Sequence, residues 1–264
     1  MAASSPDSLS LAGKVAIITG SGKENGIGAG IASALARQGA AVVLNYVSEA
    51  TAPRAAAVAE RLQTEYGVKV AVVRADVSTQ DGAKSLVEQA LKGLGVDKLD
   101  ILVNNAGGGP PAGALQASSE DVTAAFAANV FSALFMVQAA VPVMRRGGRV
   151  INIGSIASKM GIGPIALYGA AKAANDALTY SLAMELGRSH GLTINTVAPG
   201  PVPTDGIPPP VAEIIHANLV PLTRAEVRLG TVEDIADVVL FLASEKSRWL
   251  TGQFISASGG ITGN

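Results

Sequence analysis

Short runs of branched aliphatic residues alternate along this chain with longer alanine-rich segments whose apolar residues recur at helical spacing. Such alternation is typical of repeated strand–helix–strand units, in which successive strands lie parallel because a helix carries the chain back across the sheet. Right-handed crossovers place helices on both faces of that sheet. The sequence therefore predicts an α/β fold with one doubly wound, seven-stranded parallel sheet.

Seven runs have the length and composition of strands, and six longer segments have helical periodicity. The helix predicted at 119–144 is long and mostly apolar. Its surplus apolar surface favours contact with a second subunit, with burial inside one subunit as the alternative. The expected strands are 15–19, 41–45, 69–74, 99–103, 149–153, 193–197 and 253–256, and the expected helices are 27–38, 52–66, 80–94, 119–144, 166–189 and 232–243.

The chain of 264 residues contains no Pro/Ser-rich linker and no charge run that would divide it, so we expect a single domain over residues 13–264. Residues 1–12 have no basic segment and no long apolar segment, which argues against a signal peptide and predicts a flexible N-terminal lead. Further along, we interpret residues 201–228, which begin in a proline-rich stretch, as a lid over a cleft.

Composition narrows the class of partner. With 20 Lys and Arg against 21 Asp and Glu, the net charge is −1 and no stretch is strongly basic, so nucleic-acid binding is not expected. There is no cysteine, and His190 and His216 lack metal-ligand spacing, so no metal site is expected. No apolar run appears long enough for a membrane helix. A small-molecule partner and a cytoplasmic location are favoured.

Tyr168 and Lys172 lie four residues apart and therefore share one helix face. A phenol is almost entirely protonated at neutral pH, but a neighbouring ammonium and a second cation could together lower its pKa enough for proton transfer. By itself the pair is weak evidence, because most tyrosine–lysine pairs at this spacing are ordinary surface residues of helices.

Polar groups lie just past three of the strand-like runs: Thr19 and Gly20, then Asn104, then Ser155. In a parallel sheet, ligands bind outside the carboxyl ends of the strands, so these groups are expected to converge on one crevice together with Tyr168 and Lys172. Between the first strand and the first helix, Gly20, Gly26, Ile27 and Gly28 form a turn suited to holding a phosphate at the helix N-terminus.

Together these features resemble the short-chain dehydrogenase/reductase family, whose members have a single-domain Rossmann fold. The resemblance runs from about Lys14 to Gly260 and covers nearly the whole chain. The branches that look nearest are the NADPH-dependent ketoacyl-carrier-protein reductases and the fungal hydroxynaphthalene reductases. The matching pieces are the glycine turn, Asp76, residues 104–107, Asn129, Ser155, the Tyr168/Lys172 pair, Pro199 with Gly200, and residues 251–253.

The resemblance implies an oxidoreductase that reduces a ketone by hydride transfer from NADPH. It makes Tyr168 the proton donor, with Lys172 lowering its pKa and holding the ribose hydroxyls. Ser155 would donate a hydrogen bond to the carbonyl oxygen, and Asn129 would hold a water that links Lys172 to solvent. A hydrogen-bonded core amide is the alternative interpretation of Asn129.

The glycine turn departs from the usual family pattern, because five residues, 21–25, separate Gly20 from Gly26 where three are usual. That spacing resembles the enoyl-carrier-protein reductase branch, but in that branch the catalytic tyrosine and lysine lie seven residues apart, not four. We therefore take the chemistry from the Tyr168/Lys172 spacing.

NADPH is favoured over NADH because residues 45–48, at the end of the second strand, contain no acid. Asn45, Ser48 and Lys23 are instead expected to bind the 2′-phosphate. Asp76 is assigned to the adenine, with helix capping as the alternative. The full expected cofactor set is Gly20, Lys23, Gly26, Ile27, Gly28, Asn45, Tyr46, Ser48, Asp76, Val77, Asn104, Ala106, Gly107, Tyr168, Lys172, Pro199, Gly200, Val202 and Thr204.

Residues 160–163 and 108–111 are expected to form further walls of the cleft beneath the lid. A cleft lined in this way favours a small ketone that is apolar, aromatic or cyclic. Family resemblance also implies a homodimer or homotetramer. Two other functions are considered: a biosynthetic enzyme derived from this family that reduces an imine or assists a cyclisation, and a dinucleotide-sensing protein without catalysis.

Overall fold

The computed structural model describes residues 9–109, 113–205 and 209–263. Within these ranges seven strands form one parallel sheet, which confirms the predicted fold class. The strands are β1 (Val15–Ile18), β2 (Ala41–Tyr46), β3 (Val70–Arg74), β4 (Leu99–Asn104), β5 (Met144–Ile153), β6 (Thr193–Pro199) and β7 (Phe254–Ala257).

The sheet order is β3-β2-β1-β4-β5-β6-β7, so the direction of winding reverses between β1 and β4. Crevices at such a reversal are where open α/β sheets bind ligands. In the described residues the α-helices are α1 (Ile27–Arg37), α2 (Ala52–Tyr66), α3 (Gln80–Leu94), α4 (Ser119–Phe126), α5 (Ser132–Ala140), α6 (Ala157–Met160), α7 (Ala166–His190), α8 (Pro209–Leu219) and α9 (Val232–Ala243).

Two hydrophobic clusters, one on each face of the sheet, form the core. Helices α1, α2 and α9 contribute to one cluster, and α3, α5 and α7 contribute to the other. Strands β1, β4 and β6 are buried along their whole length, as expected for apolar runs covered on both faces. The core therefore leaves the carboxyl edge of the sheet as the place where polar side chains meet.

The helix predicted at 119–144 is interrupted. After α4, residues Ala127–Phe131 form a π-helical turn, α5 follows, and Val141–Val143 form a 3₁₀ turn. Met144 already belongs to β5, so the predicted helix end and strand start were wrong there. Pro142 lies in the 3₁₀ turn, and proline at that point is compatible with a new turn but not with continued α-helix.

The segment Ser119–Val143 is also long and apolar enough to cross a membrane by length and composition, contrary to our expectation that no such run exists. It packs against α3 and α7 in the second cluster, and it carries the buried polar residue Asn129. A core helix of an α/β fold can satisfy the same length and composition criteria, and the contacts with α3 and α7 favour that interpretation, although only 39% of the most apolar window is buried.

The N-terminal boundary differs from the predicted one. Leu11 is buried in the first cluster, and its main-chain N–H donates to the carbonyl oxygen of Gln38. The packed part of the chain therefore begins before residue 13; residues 1–8 of the predicted lead lie outside the described residues. Helices α6 and α8 were not among the predicted helices.

Asp100 organises the amino-terminal edge of the sheet. Its buried carboxylate accepts hydrogen bonds from the Val15 N–H at 3.0 Å, from Lys14 Nζ at 3.3 Å and from Arg145 Nη1 at 3.0 Å. The two cations are about half-exposed, so the carboxylate is the member that pays the desolvation cost. Through these contacts Asp100 joins the starts of β1, β4 and β5.

We expect Asp100→Ala to lower the free energy of unfolding by about 3 kcal/mol. The substitution leaves the Val15 N–H without its hydrogen-bond acceptor and removes the buried partner of two cations. Urea denaturation measures the change. The matched control is Asp97→Ala, since Asp97 is exposed three residues away. Equal stability of the two variants would show that Asp100 does not organise this edge.

Candidate active site

Side-chain amides and a hydroxyl hold the loops after β1 and β4 together at the carboxyl edge. Thr19 Oγ1 accepts from the N–H groups of Asn105 at 3.0 Å and Ala106 at 2.9 Å. In return, Asn105 Nδ2 donates to the carbonyl oxygens of Thr19 at 2.9 Å and Gly20 at 3.0 Å. The two loops that flank the winding reversal therefore form one hydrogen-bonded unit.

The start of α1 fits a phosphate. Its N-cap is Gly26, which offers no side chain to cap the first helical N–H groups. A Cβ added at Gly28 would lie 2.8 Å from the Gly20 oxygen and 2.9 Å from Ser21 Cα, so only glycine lets the loop fold this closely over the helix start. Bare N–H groups at a helix N-terminus, reached by a tightly folded main chain, suit a pyrophosphate. Ile27 begins the helix as predicted.

Asn45 has a different task from the phosphate contact we predicted. It is buried, its Oδ1 accepts from the Gly20 N–H at 3.1 Å, and its Nδ2 donates to the carbonyl oxygens of Val73 and Ala75. The amide is thus committed to holding the glycine loop against β2 and the end of β3. The sequence alone cannot reveal this role, because the partners of Asn45 are main-chain atoms from segments that are distant in sequence.

Exposed groups near the end of β2 remain available to a ligand. Ser48 is exposed and makes no side-chain cap bond, and Lys23 is exposed in the glycine loop. Sequence reasoning missed Arg74, whose Nε donates to the Val47 carbonyl oxygen at 3.0 Å and which pairs with Glu49. Pairing the predicted strands β2 and β3 could have indicated that Arg74 lies near the end of β2, since Tyr46 lies opposite Arg74.

Asp76 makes a local turn. Its Oδ1 accepts from the Ser78 N–H at 3.0 Å and the Ser78 hydroxyl at 2.6 Å. The N-cap of α3 is Thr79, not Asp76 or Ser78, because Thr79 Oγ1 accepts from the Gly82 N–H. Asp76 is exposed at the end of the β3 edge, and Val77 beside it is buried.

Helix α7 places Tyr168 and Lys172 at the carboxyl end of β5. Lys172 Nζ lies 5.7 Å from the centroid of the Tyr168 ring and donates to the Ile153 carbonyl oxygen at 2.7 Å. Ser155 follows β5 by two residues, and its Oγ accepts from the Ala157 N–H at 3.1 Å, at the start of α6. The structure thus brings the three predicted catalytic groups together.

Asn129 lies in the π-helical turn and reaches the loop after β4. Its Nδ2 donates to the carbonyl oxygens of Ala125 at 2.8 Å and Gly108 at 2.5 Å, while its Oδ1 accepts from the Gly108 N–H at 3.1 Å. A Cβ added at Gly107 would lie 2.7 Å from Asn129 Oδ1 and 3.1 Å from Lys172 Nζ. The loop after β4 therefore passes closely between these two side chains, as only glycine permits.

Burial dominates the protonation of the catalytic pair. It raises the pKa of Tyr168, against which a hydrogen bond with Ser155 acts. It lowers the pKa of Lys172 from 10.5 to about 8, and the Asp176 carboxylate opposes that change. The lowered phenol pKa we expected is therefore not a property of the protein alone, because desolvation of the phenolate outweighs its hydrogen bond with Ser155.

Asp176 is a member of the site that sequence reasoning missed. It lies four residues beyond Lys172, on the same face of α7. Desolvation raises its pKa, and the charges of Lys159 and Lys172 and the hydroxyl of Ser158 oppose that rise. The Tyr168, Lys172, Asp176 spacing was the available signal.

Other predicted residues line the same edge in different ways. Asn104 is buried, and its Nδ2 donates to Asn152 Oδ1 at 2.9 Å, so its amide nitrogen is engaged inside the fold. Ala106 is partly buried there. Pro199 ends β6 and Gly200, Val202 and Thr204 follow it, with Val202 buried.

Residues expected to line the substrate are described only in part. Met160 and Ile162 are partly buried, whereas Pro110, Pro111 and Pro208 lie outside the described residues. In residues 209–219 of the predicted lid the chain forms α8. Across the described ranges, no group of three or more His, Asp and Glu side chains is arranged to hold a metal ion.

Nearly the whole chain is similar to known proteins. A family model described as enoyl-(acyl carrier protein) reductase matches residues 20–262. An uncharacterized oxidoreductase of Methylorubrum extorquens is 42% identical over 253 residues, which cover 95% of this chain and 98% of that protein. The short-chain dehydrogenase/reductase FrzI of a Cladobotryum species is 38% identical over 259 residues, covering 96% and 97%.

Among solved structures, the angucycline C-6 ketoreductase LanV with bound NADP superimposes with a TM-score of 0.86 at 35% identity. The match covers 95% of this chain and 96% of that chain.

We expect Lys172 to titrate near pH 8 in the folded protein, and Asp176→Asn to lower that pKa further because it removes the negative charge that favours the ammonium. NMR of ¹³C-labelled lysine measures both values, with Lys172→Met identifying the signal. Asp81→Asn, an exposed change on α3, serves as control. An unchanged Lys172 pKa in Asp176→Asn would refute the assigned role of that carboxylate.

Proposed function

Because the chain belongs to the short-chain dehydrogenase/reductase family, a family of oxidoreductases, we propose that it reduces the ketone of a small, largely apolar or cyclic substrate to an alcohol, using NADPH. The observation that carries the proposal is the meeting of Ser155, Tyr168 and Lys172 beside a glycine loop suited to a pyrophosphate. LanV, a ketoreductase with bound NADP, has the same fold.

Three features support NADPH over NADH. The end of β2 offers the exposed hydroxyl of Ser48 and the nearby ammonium of Lys23 to a 2′-phosphate. The first acid beyond the strand, Glu49, is paired with Arg74. Residues 45–48 themselves contain no carboxylate that would bind the ribose hydroxyls of NADH. Tyr46 and Val77 would flank the adenosine, with Asp76 at the adenine.

When bound, the cofactor supplies the hydride that reduces the carbonyl carbon. Tyr168 donates its proton to the carbonyl oxygen, and the raised pKa of the phenol keeps that proton in place at neutral pH. Ser155 donates a hydrogen bond to the same oxygen as negative charge develops on it. The ketone thus gains one hydride and one proton and leaves as the alcohol.

Lys172 returns the proton. One of its three N–H groups is committed to the Ile153 carbonyl oxygen, which leaves two for the ribose hydroxyls and for a proton path. Asn129 holds the loop after β4 in place through Gly108. The second lone pair of its Oδ1 would accept from the water that links Lys172 to solvent.

The description of the matching family model does not decide the reaction of this chain. Enoyl reduction needs hydride addition to a carbon–carbon double bond, and the related branch has a different tyrosine–lysine spacing. Here Tyr168 and Lys172 lie one turn apart on the same face of α7, and Ser155 is next to Tyr168. This arrangement suits hydrogen bonding and proton donation to a carbonyl oxygen. We therefore retain carbonyl reduction.

The remaining features concern assembly and location. Phe131, Tyr180 and Met184 are exposed apolar or aromatic side chains on the π turn and α7. We assign this surface to contact with a second copy of the chain, in a homodimer or homotetramer. A cytoplasmic location accords with the absence of cysteine. Residues 201–228 would form the substrate lid.

We expect Tyr168→Phe to lower the rate of NADPH-dependent ketone reduction about 10²- to 10⁴-fold, because it removes the proton donor but not the cofactor site. Stopped-flow measurement of NADPH oxidation and of NADPH binding separates the two. Tyr66→Phe, a tyrosine at the C-terminal end of α2, should retain the wild-type rate and affinity. Full activity in Tyr168→Phe would favour imine reduction or an assisted cyclisation instead.

Lys23→Ala should weaken NADPH binding about fivefold to tenfold and leave NADH binding unchanged, since only NADPH carries the 2′-phosphate. Nicotinamide fluorescence titration measures both affinities. Lys84→Ala on α3, where the side chain is well exposed, controls for net charge. Equal losses for both cofactors would place Lys23 at the pyrophosphate. If the wild-type protein bound neither cofactor, the proposed function would fail.

A further inference from the structure

The five-residue glycine loop, residues 21–25, has a use that the proposed reaction does not explain. Gly22 packs against the side chains of Tyr46 and Ala55, so the loop is folded onto the end of β2 and the start of α2. This contact directs Glu24 and Asn25 outward, where both side chains are exposed. The two residues beyond the usual spacing thus form an arm that reaches away from the helix start.

That arm meets the segment that follows β6. Asn25 Nδ2 donates to Asp205 Oδ1 at 3.4 Å. In the sheet, β4 and β5 lie between β1 and β6, a separation of roughly 14 Å at ordinary strand spacing. A contact between the loops after β1 and β6 therefore has to cross the carboxyl edge, where the crevice opens.

Arg54, at the start of α2, joins the two sides. Its Nε donates to Glu24 Oε2 at 2.5 Å, and its Nη2 donates to Asp205 Oδ2. A guanidinium can serve two carboxylates at once because its donors are fixed in a planar fork, which a lysine cannot reproduce. We call Glu24, Asn25, Arg54 and Asp205 the Arg54 clasp.

The charges of the clasp suit a closed state at neutral pH. The hydrogen bond from Arg54 holds the pKa of Asp205 below its usual value. The pKa of Glu24 is lowered by a main-chain hydrogen bond and then by Arg54. All four side chains are also partly or fully accessible to water, so salt screens the clasp and its contribution is moderate.

We propose that Arg54 is a positioning residue that slows release of the dinucleotide, by tying the glycine loop to the segment after β6 across the pyrophosphate. The proposal rests on the proposed NADPH-dependent function. Because the pyrophosphate is common to NADPH and NADH, the clasp acts on both cofactors alike. It contributes to neither hydride transfer nor proton transfer, since Arg54 makes no contact with Ser155, Tyr168 or Lys172 among the described hydrogen bonds and ion pairs.

The test is the dissociation rate of NADPH and of NADH from the full-length protein, measured by stopped-flow displacement and nicotinamide fluorescence. Arg54→Ala should speed release of both cofactors by the same factor, about three- to tenfold, given what exposed ion pairs contribute. Arg54→Lys should recover part of the slow release. The rate of single-turnover ketone reduction at saturating NADPH should not change.

Arg37→Ala is the matched control. Arg37 is also a partly exposed arginine paired with an aspartate, Asp237, but the pair joins α1 to α9 away from the carboxyl edge. Release from this variant should equal that from wild type. Raising the salt concentration should bring the wild-type release rate toward that of Arg54→Ala, with a smaller change in the variant.

Hydrogen exchange in the cofactor-free protein gives a second measurement that does not depend on binding. In Arg54→Ala, amides of residues 200–205 and 21–26 should exchange faster than in wild type and in Arg37→Ala. Unchanged exchange in these two segments would overturn the clasp as a structural link.

The outcomes separate the competing explanations. Faster release of NADPH alone would mean that Arg54 contacts the 2′-phosphate, which overturns the clasp. Wild-type release from Arg54→Ala, or equal acceleration in Arg37→Ala, would also overturn it while leaving the proposed function intact. If wild-type protein bound neither cofactor, the proposed function would fall and the clasp's role in release with it.

Discussion

The buried amine of Lys172 is the constraint on which the arrangement of the site depends. Removing an ammonium from water is unfavourable, and it lowers the pKa of this group to about 8. Partial compensation comes from the Ile153 carbonyl oxygen at the end of β5 and from the Asp176 carboxylate one turn along α7. The first turns of α7 must therefore lie at the carboxyl end of β5, and the loop after β4 must pass beside the amine at Gly107.

Amide side chains along the carboxyl edge bind main-chain groups rather than facing a ligand. Asn45 and Asn105 join the glycine loop to neighbouring strands, and Asn129 holds the loop after β4. Loops that leave parallel strands carry unpaired N–H and carbonyl groups, and buried ones must find partners. The amide side chains supply those partners, so the cradle for a dinucleotide is rigid before anything binds.

Strand and helix positions could be predicted closely because the buried runs and helical periods are unambiguous. The prediction was wrong where a local pattern competes with distant contacts. Residues 119–144 have continuous helical periodicity, yet Asn129 lies in a π turn and Met144 starts a strand whose next residue, Arg145, pairs with Asp100. The role of Asn45 and the partners of Arg54 were hidden for the same reason, since they join segments far apart in sequence.

By itself the sequence determined the order of elements, the parallel sheet and the residue types that gather at its carboxyl edge, because hydrophobic periodicity and the i, i+4 spacing of Tyr168 and Lys172 are local properties. Only the tertiary structure decided how those groups are charged and which of them remain free for a ligand. Burial, which depends on every element packed around a side chain, sets the opposite pKa changes of Tyr168 and Lys172. The partners of Asn45 and Arg54 come from segments that meet only when the sheet has formed.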